Sequence, residues 1–132
     1  MKRRLHLRTF QIGAAPKRGD GLRIGTTRRP PRGVPRARWK RDGYFDVWFP
    51  VVAPSAALLE RTRDRDFANP AVRRRFFEAY QKELQRPPAK HAVALLAALA
   101  QRTPLAIGCF CADQSWCHRS VLKAEIARVA RR

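Results

Sequence analysis

The chain has 132 residues, a formal net charge of +19 at pH 7 and 45% apolar residues. This length and apolar content suit one globular domain with its own core, so we expect a single domain over residues 1–132. The apolar run at Val93–Ala100 is too short to cross a bilayer. The basic N-terminus also lacks the apolar segment of a secretory signal. These features argue against membrane and secreted classes of protein, and we expect no membrane partner.

Basic residues are concentrated near the N-terminus. Residues 1–41 hold 14 basic residues and one acidic residue. Such a surface favours phosphate-bearing partners, namely RNA, DNA or a nucleotide. Arginine, alanine and proline are all abundant, however, and this bias also indicates a composition in which arginine occupies ordinary solvated faces. The arginine triplet Arg73–Arg75 is open to the same two interpretations, and for it we favour a solvated face.

Strands and one long loop are predicted in the first 52 residues. Alternating apolar residues predict a first strand within Lys2–Ile12, although residues 1–12 could instead be mobile. Gly21–Thr27 predicts a second strand. Residues 28–42 contain three prolines and seven basic residues, which predicts an irregular loop that either wraps a phosphate or is merely solvated. Tyr44–Val52 is aromatic and β-branched, but Pro50 prevents it from being a central strand over its whole length.

Three helices are predicted in the middle of the chain. Ser55 is a candidate N-cap for a short helix that ends near Arg61. Asn69 and the proline after it begin an amphipathic helix that runs to about Gln85. A further helix follows at Ala89–Arg102. The long amphipathic helix places an apolar residue at every fourth position: Val72, Phe76, Tyr80 and Leu84.

A strand and a helix close the chain. Leu105–Ile107 predicts a short buried strand that Gly108 ends. Asp113 and Ser115 are candidate N-caps of a final helix that begins at about Trp116. The order of elements predicts an α/β fold with a small sheet covered by helices, and Rossmann-like layering is compatible with it.

The loop between that strand and that helix is the best candidate for a functional site. All three cysteines fall within nine residues, at Cys109, Cys111 and Cys117. An odd, clustered set does not resemble a disulfide framework, so we expect a reducing cytoplasm as the location. The first turn of the final helix carries Cys117, His118 and Arg119, where free N–H groups and the helix dipole favour an anion and a thiolate.

Three chemistries are compatible with these residues. In the first, Cys117 is a reactive thiolate with His118 beside it, and Cys111 or Cys109 is the resolving partner. The Cys-x5-Arg spacing of tyrosine phosphatases and the redox Cys-x-x-Cys spacing are both absent. In the second, Cys109, Cys111, Cys117 and His118 hold zinc, although the Cys-x-Cys spacing is tight and the adjacent Cys117 and His118 would have difficulty ligating together.

The third chemistry is anion binding without a covalent step. Arg119, Ser120 and the helix-start amides, with Arg28 and Arg32 of the basic loop, would grip a phosphate or carboxylate. The alternative to all three is that the cysteines simply pack, as Cys109 would after a core strand. Trp116 is either a lid on the pocket or a staple on the helix.

Four blocks of the chain resemble one bacterial family. They are RPPRGVPRARW (Arg29–Trp39), WFPVVAPSAALL (Trp48–Leu59), NPAVRRRFFEAYQKEL (Asn69–Leu84) and TPLAIGCFCADQSWCHRSVLKAEI (Thr103–Ile126). These blocks are similar to the domain-of-unknown-function family 488 (DUF488), which includes the YeaO-like proteins. The resemblance implies a compact α/β fold without an established activity, and the family's cysteines imply that members are enzymes.

The resemblance is to the cysteine-bearing branch of that family. YeaO-like relatives keep a histidine at the position of His118 but lack the flanking cysteines. Some relatives carry a uroporphyrin methyltransferase label, yet no glycine-rich cofactor loop occurs here, and we expect no cofactor. Two hypotheses follow. One is a small enzyme or binding domain with a pocket for a phosphorylated or nucleotide-like anion at Cys109–Ser120. The other is a nucleic-acid-binding accessory protein that uses the basic N-terminal surface.

Overall fold

A four-stranded parallel sheet is the centre of the fold. The computed structural model describes residues 5–111 and 117–131. Within them the strands are β1 (Leu7–Gln11), β2 (Leu22–Gly25), β3 (Val47–Trp48) and β4 (Leu105–Cys109). Their order across the sheet is β1-β4-β2-β3, and every pairing is parallel. The last strand of the chain therefore lies between the first two, and all five of its residues are buried.

Gly108 lies inside β4, and the prediction that it ends this strand is wrong. It pairs with Phe10 of β1 on one side and with Gly25 of β2 on the other. A Cβ atom at Gly108 would overlap the Phe10 ring. The glycine is therefore required by the close approach of an aromatic ring and does not break the strand. As a result, β4 extends to Cys109 and places that cysteine at the carboxyl end of the parallel strands.

The predicted strand Tyr44–Val52 is interrupted by Pro50, as expected, but it is shorter than predicted. Only Val47–Trp48 of the predicted Tyr44–Val52 strand pairs, at the outer edge beside β2. Pro50 begins a single 3-10 turn, Pro50–Val52, because it lacks the N–H that a continued ladder would use. The basic loop is irregular as predicted, apart from one 3-10 turn at Arg36–Arg38.

The predicted helices are confirmed, and so are two of their caps. Their bounds are α1 (Ala56–Thr62), α2 (Pro70–Leu84), α3 (Ala89–Ala100) and α4 (His118–Ala130). The Ser55 hydroxyl accepts the Leu58 N–H at 3.0 Å, and the Asn69 side chain accepts the Ala71 N–H at 2.9 Å. Among the described helices, none combines the length and apolarity that a membrane crossing requires.

The two faces of the sheet are covered differently. Buried side chains from all four helices pack with Ile24 of β2 and Ile107 of β4 on one face. The other face carries an aromatic cluster from the loop before β3, including Phe45 and Trp39, packed on Phe10. In a Rossmann-like fold helices cover both faces, so the layering here differs from that arrangement. The α/β class with a helix-covered small sheet is confirmed.

A buried carboxylate fixes α4 against α2. Glu125 of α4 is 3% exposed and accepts hydrogen bonds from the side-chain amides of Gln81, at 3.3 Å, and Gln85 on α2. Arg128 donates to it through Nε at 2.6 Å. The Arg128 hydrogen bond, with those of the two glutamines, holds the pKa of Glu125 below its usual value. This junction sets the position of the helix whose first residues face the site.

Candidate functional site

A large cleft opens at the carboxyl ends of the parallel strands. Strand β2 ends just before Thr26, β4 ends at Cys109, and α4 begins beside them at His118. Because the carboxyl ends of parallel strands meet at one edge of a sheet, this is the usual place for a ligand site in such folds. The cleft has a volume of about 1440 Å³. The basic loop, α1, two phenylalanines before and within α2 (Phe67 and Phe76), and the residues around the cysteines form its walls.

The three cysteines occupy three different environments. Cys109 ends β4 and Cys117 is the N-cap residue of α4, and both are 2% exposed. Their sulfur atoms are paired as a disulfide. Cys111 is a free, exposed thiol, and both Cys111 and Cys117 line the cleft. The pairing was not expected from an odd, clustered set; it arises because the end of β4 and the start of α4 converge at the same sheet edge.

The imidazole of His118 has a defined orientation. Its Nε2 lies 2.8 Å from the carbonyl oxygen of Thr26 and therefore carries the proton that this oxygen accepts. The Thr26 hydroxyl is also near, at 3.3 Å. The Tyr80 ring meets the imidazole edge-on, with centroids 5.5 Å apart, and its hydroxyl donates to the Val52 carbonyl. These contacts leave Nδ1 as the acceptor nitrogen, 3.7 Å from the Cys117 sulfur.

The same surroundings keep His118 uncharged. The pKa of His118 is lowered from 6.5 to about 4, chiefly by burial and in smaller part by the nearby Arg119, while the Thr26 carbonyl acts in the opposite direction. Burial disfavours the imidazolium because the interior solvates a charge poorly. At neutral pH, Nδ1 is therefore an unprotonated base beside the Cys117 sulfur. This nitrogen can accept a hydrogen bond from a reduced Cys117 thiol.

Arg119 lies behind the cleft, inside the fold. It is 3% exposed, and its Nη1 donates to the carbonyl oxygens of Phe10 at 3.1 Å, Cys109 at 3.3 Å and Cys111 at 2.7 Å. The same nitrogen is 3.7 Å from the Cys109 sulfur. Arg119 is not one of the described residues that line the cleft. The guanidinium was expected to bind an anion, but it holds the backbone around the cysteines, since a buried arginine must bond to polar groups.

Ser120 also lies outside the cleft wall. Its hydroxyl donates to the carbonyl oxygen of Cys117 at 2.9 Å, within the first turn of α4. The side chain borders a separate shallow groove between α2 and α4. The structure therefore brings Cys111, Cys117 and His118 together at the cleft, and does not bring Arg119 and Ser120 to it.

The basic loop supplies the positive wall of the cleft, as anticipated for Arg28 and Arg32. Arg28 donates through Nε to the Pro54 carbonyl at 3.0 Å and through Nη2 to the Ala53 carbonyl at 3.1 Å. Those bonds clamp the loop to the segment before α1. Arg32 is exposed on the same wall. Gly33 beside it has a φ of +73°, a conformation that glycine adopts without strain.

Several contributors to the cleft were missed at the sequence level. Arg29 and Arg63 add two further guanidinium groups to the lining, and Arg63 forms an exposed ion pair with Glu60 at 3.2 Å. Phe67 and Phe76 form an aromatic wall, with ring centroids 5.4 Å apart, and Phe110 is 47% exposed beside it. These side chains come from separate elements, so no local sequence motif identifies them. Thr26, whose carbonyl orients His118, was also missed; the sequence signal for it was its position directly after a buried strand.

Within residues 5–111 and 117–131, one group of side chains could hold a metal ion. The sulfurs of Cys109 and Cys117 and a ring nitrogen of His118 all lie within 4.8 Å of one another. Two thiolates and an imidazole are ligands that zinc accepts. Cys111, the fourth member of the expected set, is not in this group. In the structure the two sulfurs are bonded to each other, so the same atoms serve a disulfide.

Three sequence predictions fall outside the described residues. They are the N-cap candidates Asp113 and Ser115 and the lid or staple Trp116. The N-cap position of α4 belongs to Cys117, which makes no side-chain capping bond. Helix α4 therefore begins two residues later than predicted.

Fold and site together define a parallel α/β domain with a cysteine-bearing cleft at the carboxyl edge of its sheet. A family model, DUF488-N3a, described as the active DUF488-N3 subclade, matches residues 7–129. The chain therefore belongs to the DUF488 family, and the family predicted from the four sequence blocks is confirmed. Neither a curated protein nor a solved structure showed a significant match to this chain.

Proposed function

We propose that this protein is a small enzyme that binds a nucleotide-like anion in the cleft and acts on it with Cys117 and His118. The observation that carries the proposal is the coincidence, in one cleft, of a guanidinium-rich wall, an aromatic wall and a cysteine–histidine pair. Each feature alone has a structural explanation. Their convergence at the carboxyl edge of a parallel sheet supports a binding site.

The charge of the cleft favours an anion. Among the described residues that line it, four are arginines, Arg28, Arg29, Arg32 and Arg63, and one is acidic, Glu60. Guanidinium groups bind phosphate and carboxylate through paired N–H donors, and such charge-assisted bonds are about twice as strong as neutral ones. The described lining thus has a surplus of cations, which a phosphate group would neutralise.

The aromatic wall favours a ligand with a flat apolar part. Phe110 is half exposed at the cleft and Phe67 is partly exposed on the same lining, while Phe76, 5% exposed, packs against Phe67. Aromatic faces stack with nucleobases regardless of their identity. A phosphate on the arginine wall and a base on the phenylalanine wall together describe a nucleotide-like molecule. Inorganic phosphate would use only the first of these walls.

The cysteine–histidine pair supplies the chemistry. In the reduced protein, His118 Nδ1 would accept a hydrogen bond from the Cys117 thiol, and the start of α4 would stabilise the thiolate that forms when the proton passes to solvent. The thiolate is then a nucleophile at the cleft floor. Cys111 places a second thiol in the same cleft. Arg119 takes part indirectly, because it holds the backbone on which Cys109 and Cys111 are carried.

The proposal is tested by protection of Cys117 from alkylation. The reduced full-length chain is treated with iodoacetamide while adenosine monophosphate, adenosine or inorganic phosphate is titrated, and mass spectrometry follows Cys117. We expect the monophosphate to protect at lower concentration than either fragment. Arg32→Ala should raise the protecting concentration on the order of tenfold, since a charge-assisted bond contributes about 1.5–3 kcal/mol.

Arg36→Ala is the matched control, because Arg36 lies in the same basic loop, is exposed, and does not line the cleft. It removes the same charge and should leave the protecting concentration unchanged. The proposal fails if none of the three compounds protects Cys117. It also fails if Arg32→Ala and Arg36→Ala weaken protection equally, because the effect would then belong to bulk charge.

A nucleic-acid-binding accessory role is the second candidate, and the net charge of +19 supports it. Arg74 and Arg75 are exposed on α2, whereas Arg73 donates to the Phe67 carbonyl at 2.6 Å and has a structural role. Binding of this kind should fall steeply with salt and should not depend on Cys117. In that case Arg32→Ala and Arg36→Ala would weaken binding to an oligonucleotide by similar factors.

A further inference from the structure

The three cysteines form an arrangement with one accessible sulfur and one buried bond. The disulfide joins Cys109 and Cys117, each 2% exposed. Cys111 is a free, exposed thiol that lines the cleft together with Cys117. A thiol from solvent would therefore meet Cys111 first. Thiolates exchange with disulfides by direct attack on sulfur, so a free thiol in the same cleft is a chemical partner for this bond.

We propose that the protein carries out thiol–disulfide exchange with low-molecular-weight thiols, and that Cys111 relays the electrons to the Cys109–Cys117 bond. In the first step the Cys111 thiolate attacks the Cys117 sulfur. The Cys109–Cys117 bond breaks, a Cys111–Cys117 bond forms, and Cys109 leaves as a thiolate. The disulfide has then moved from a buried pair to one that includes the exposed residue.

Two external thiols complete the reaction. The first attacks the Cys111 sulfur, forms a mixed disulfide with it, and releases Cys117 as a thiolate that takes up a proton. The second attacks the external sulfur of that mixed disulfide, which releases the oxidised external disulfide and the Cys111 thiol. Two external thiols are thereby oxidised, and the protein disulfide gains two electrons and two protons.

The surroundings of Cys109 suit it to be the leaving group. The backbone N–H of Cys111 donates to the Cys109 sulfur at 3.3 Å, and Arg119 Nη1 donates to it at 3.7 Å. A neighbouring guanidinium and an N–H donor both stabilise a thiolate. Exchange is faster when the departing thiol has a low pKa. These two contacts therefore favour Cys109 as the thiolate that leaves, so that Cys117 becomes bonded to the exposed Cys111.

The backbone of Cys111 is held in place for the first step. Its N–H is bonded to the Cys109 sulfur, and its carbonyl accepts from Arg119 at 2.7 Å. This ties Cys111 to the end of β4 and to α4, the two elements that carry the disulfide. Arg119 therefore has a role that its buried position explains: it fixes the three-cysteine unit.

The relay does not depend on what the cleft binds. Nucleotide protection of reduced Cys117 tests the proposed function, whereas reduction of the oxidised chain tests the relay. Either result can fail while the other stands.

The test compares the rate at which glutathione reduces the oxidised full-length chain and Cys111→Ser. Thiol counting in denaturant first establishes the starting state: one free thiol in the oxidised wild type and none in the variant, since three cysteines include one disulfide. We expect Cys111→Ser to be reduced at least about tenfold more slowly, because a buried disulfide is then attacked only from solvent. Leu95→Ala changes an exposed residue of α3 that does not line the cleft, keeps all three cysteines, and should react within about twofold of the wild type.

Acid quenching and peptide mapping provide a second, independent readout. We expect glutathione to be attached to Cys111 and a Cys111–Cys117 disulfide to be present during the reaction. The proposal is overturned if Cys111→Ser is reduced as fast as the wild type. It is equally overturned if glutathione attaches first to Cys109 or Cys117, or if the oxidised chain shows three free thiols.

Discussion

Acidification should destabilise this protein through His118 before its carboxylates are protonated. Burial lowers the pKa of His118 from 6.5 to about 4. The unfolded chain exposes the imidazole, so between these two values it binds more protons than the folded protein does. Stability therefore rises with pH across this window. The contribution of the neutral imidazole is fully present above about pH 6.5 and is lost progressively as the pH falls towards 4.

The expected magnitude is large for a single group. One pKa unit corresponds to about 1.36 kcal/mol, so the full change is worth about 3 kcal/mol. Between about pH 7.5 and pH 5 the loss is about 2 kcal/mol, because the folded imidazole is still mostly neutral at pH 5. A domain of this kind has a total stability of about 5–15 kcal/mol, so the effect should be easy to detect. Its structural origin is the burial of the imidazole, against which the Tyr80 ring packs edge-on.

Urea denaturation of the oxidised protein, followed by tryptophan fluorescence, gives the free energy of unfolding at each pH. His118→Gln keeps a donor for the Thr26 carbonyl but does not titrate. The free energy of unfolding of this variant should therefore not show the wild-type decline between about pH 7.5 and pH 5. His91→Gln is the matched control: His91 is an exposed histidine on α3, and its replacement should preserve the wild-type slope. A His118→Gln slope equal to that of the wild type would refute the reasoning, whatever the absolute stability of the variant.

Two further substitutions test how the fold positions the site. Gly108→Ala should lower the free energy of unfolding by about 1–3 kcal/mol, because the added methyl group would overlap the Phe10 ring; an unchanged urea midpoint would contradict the close-approach argument. Ser55→Ala should cost about 1 kcal/mol by removing the N-cap of α1. Since Glu83 of α2 accepts from both the amide and the hydroxyl of Ser55, Glu83→Ala and Ser55→Ala should couple in a double-mutant cycle, and strictly additive costs would argue against a shared unit.

The parts of the fold that local chemistry determines were predictable from sequence. Ser55 and Asn69 were identified as helix caps, and both side chains accept the expected N–H groups. The apolar residues at every fourth position also identified the face of α2 that is now buried, from Phe76 to Leu84. A cap or a helical stripe depends on neighbours a few residues away. Such patterns can be read without knowing the tertiary structure.

The parts that depend on long-range packing were not predictable. Gly108 was taken as a strand terminator, but its role is set by a ring from β1, far away in sequence. The Cys109–Cys117 pairing depends on the end of β4 meeting the start of α4. The aromatic wall of the cleft likewise draws Phe67 and Phe110 from distant segments. In each case the sequence shows the residue type, but the partner becomes known only from the fold.

The run Cys117-His118-Arg119 shows why adjacency in sequence is a poor guide to adjacency in a site. Successive residues of an α-helix point about 100° apart, so three consecutive side chains cannot all face one cleft. Here Cys117 and His118 line the cleft, while Arg119 turns inward to the carbonyls that end β1 and β4. The cations that face the cleft come from the basic loop and from the C-cap of α1, and they include Arg32 and Arg63. The helix start therefore provides the reacting groups, and the distant arginines provide the charge that would bind an anion.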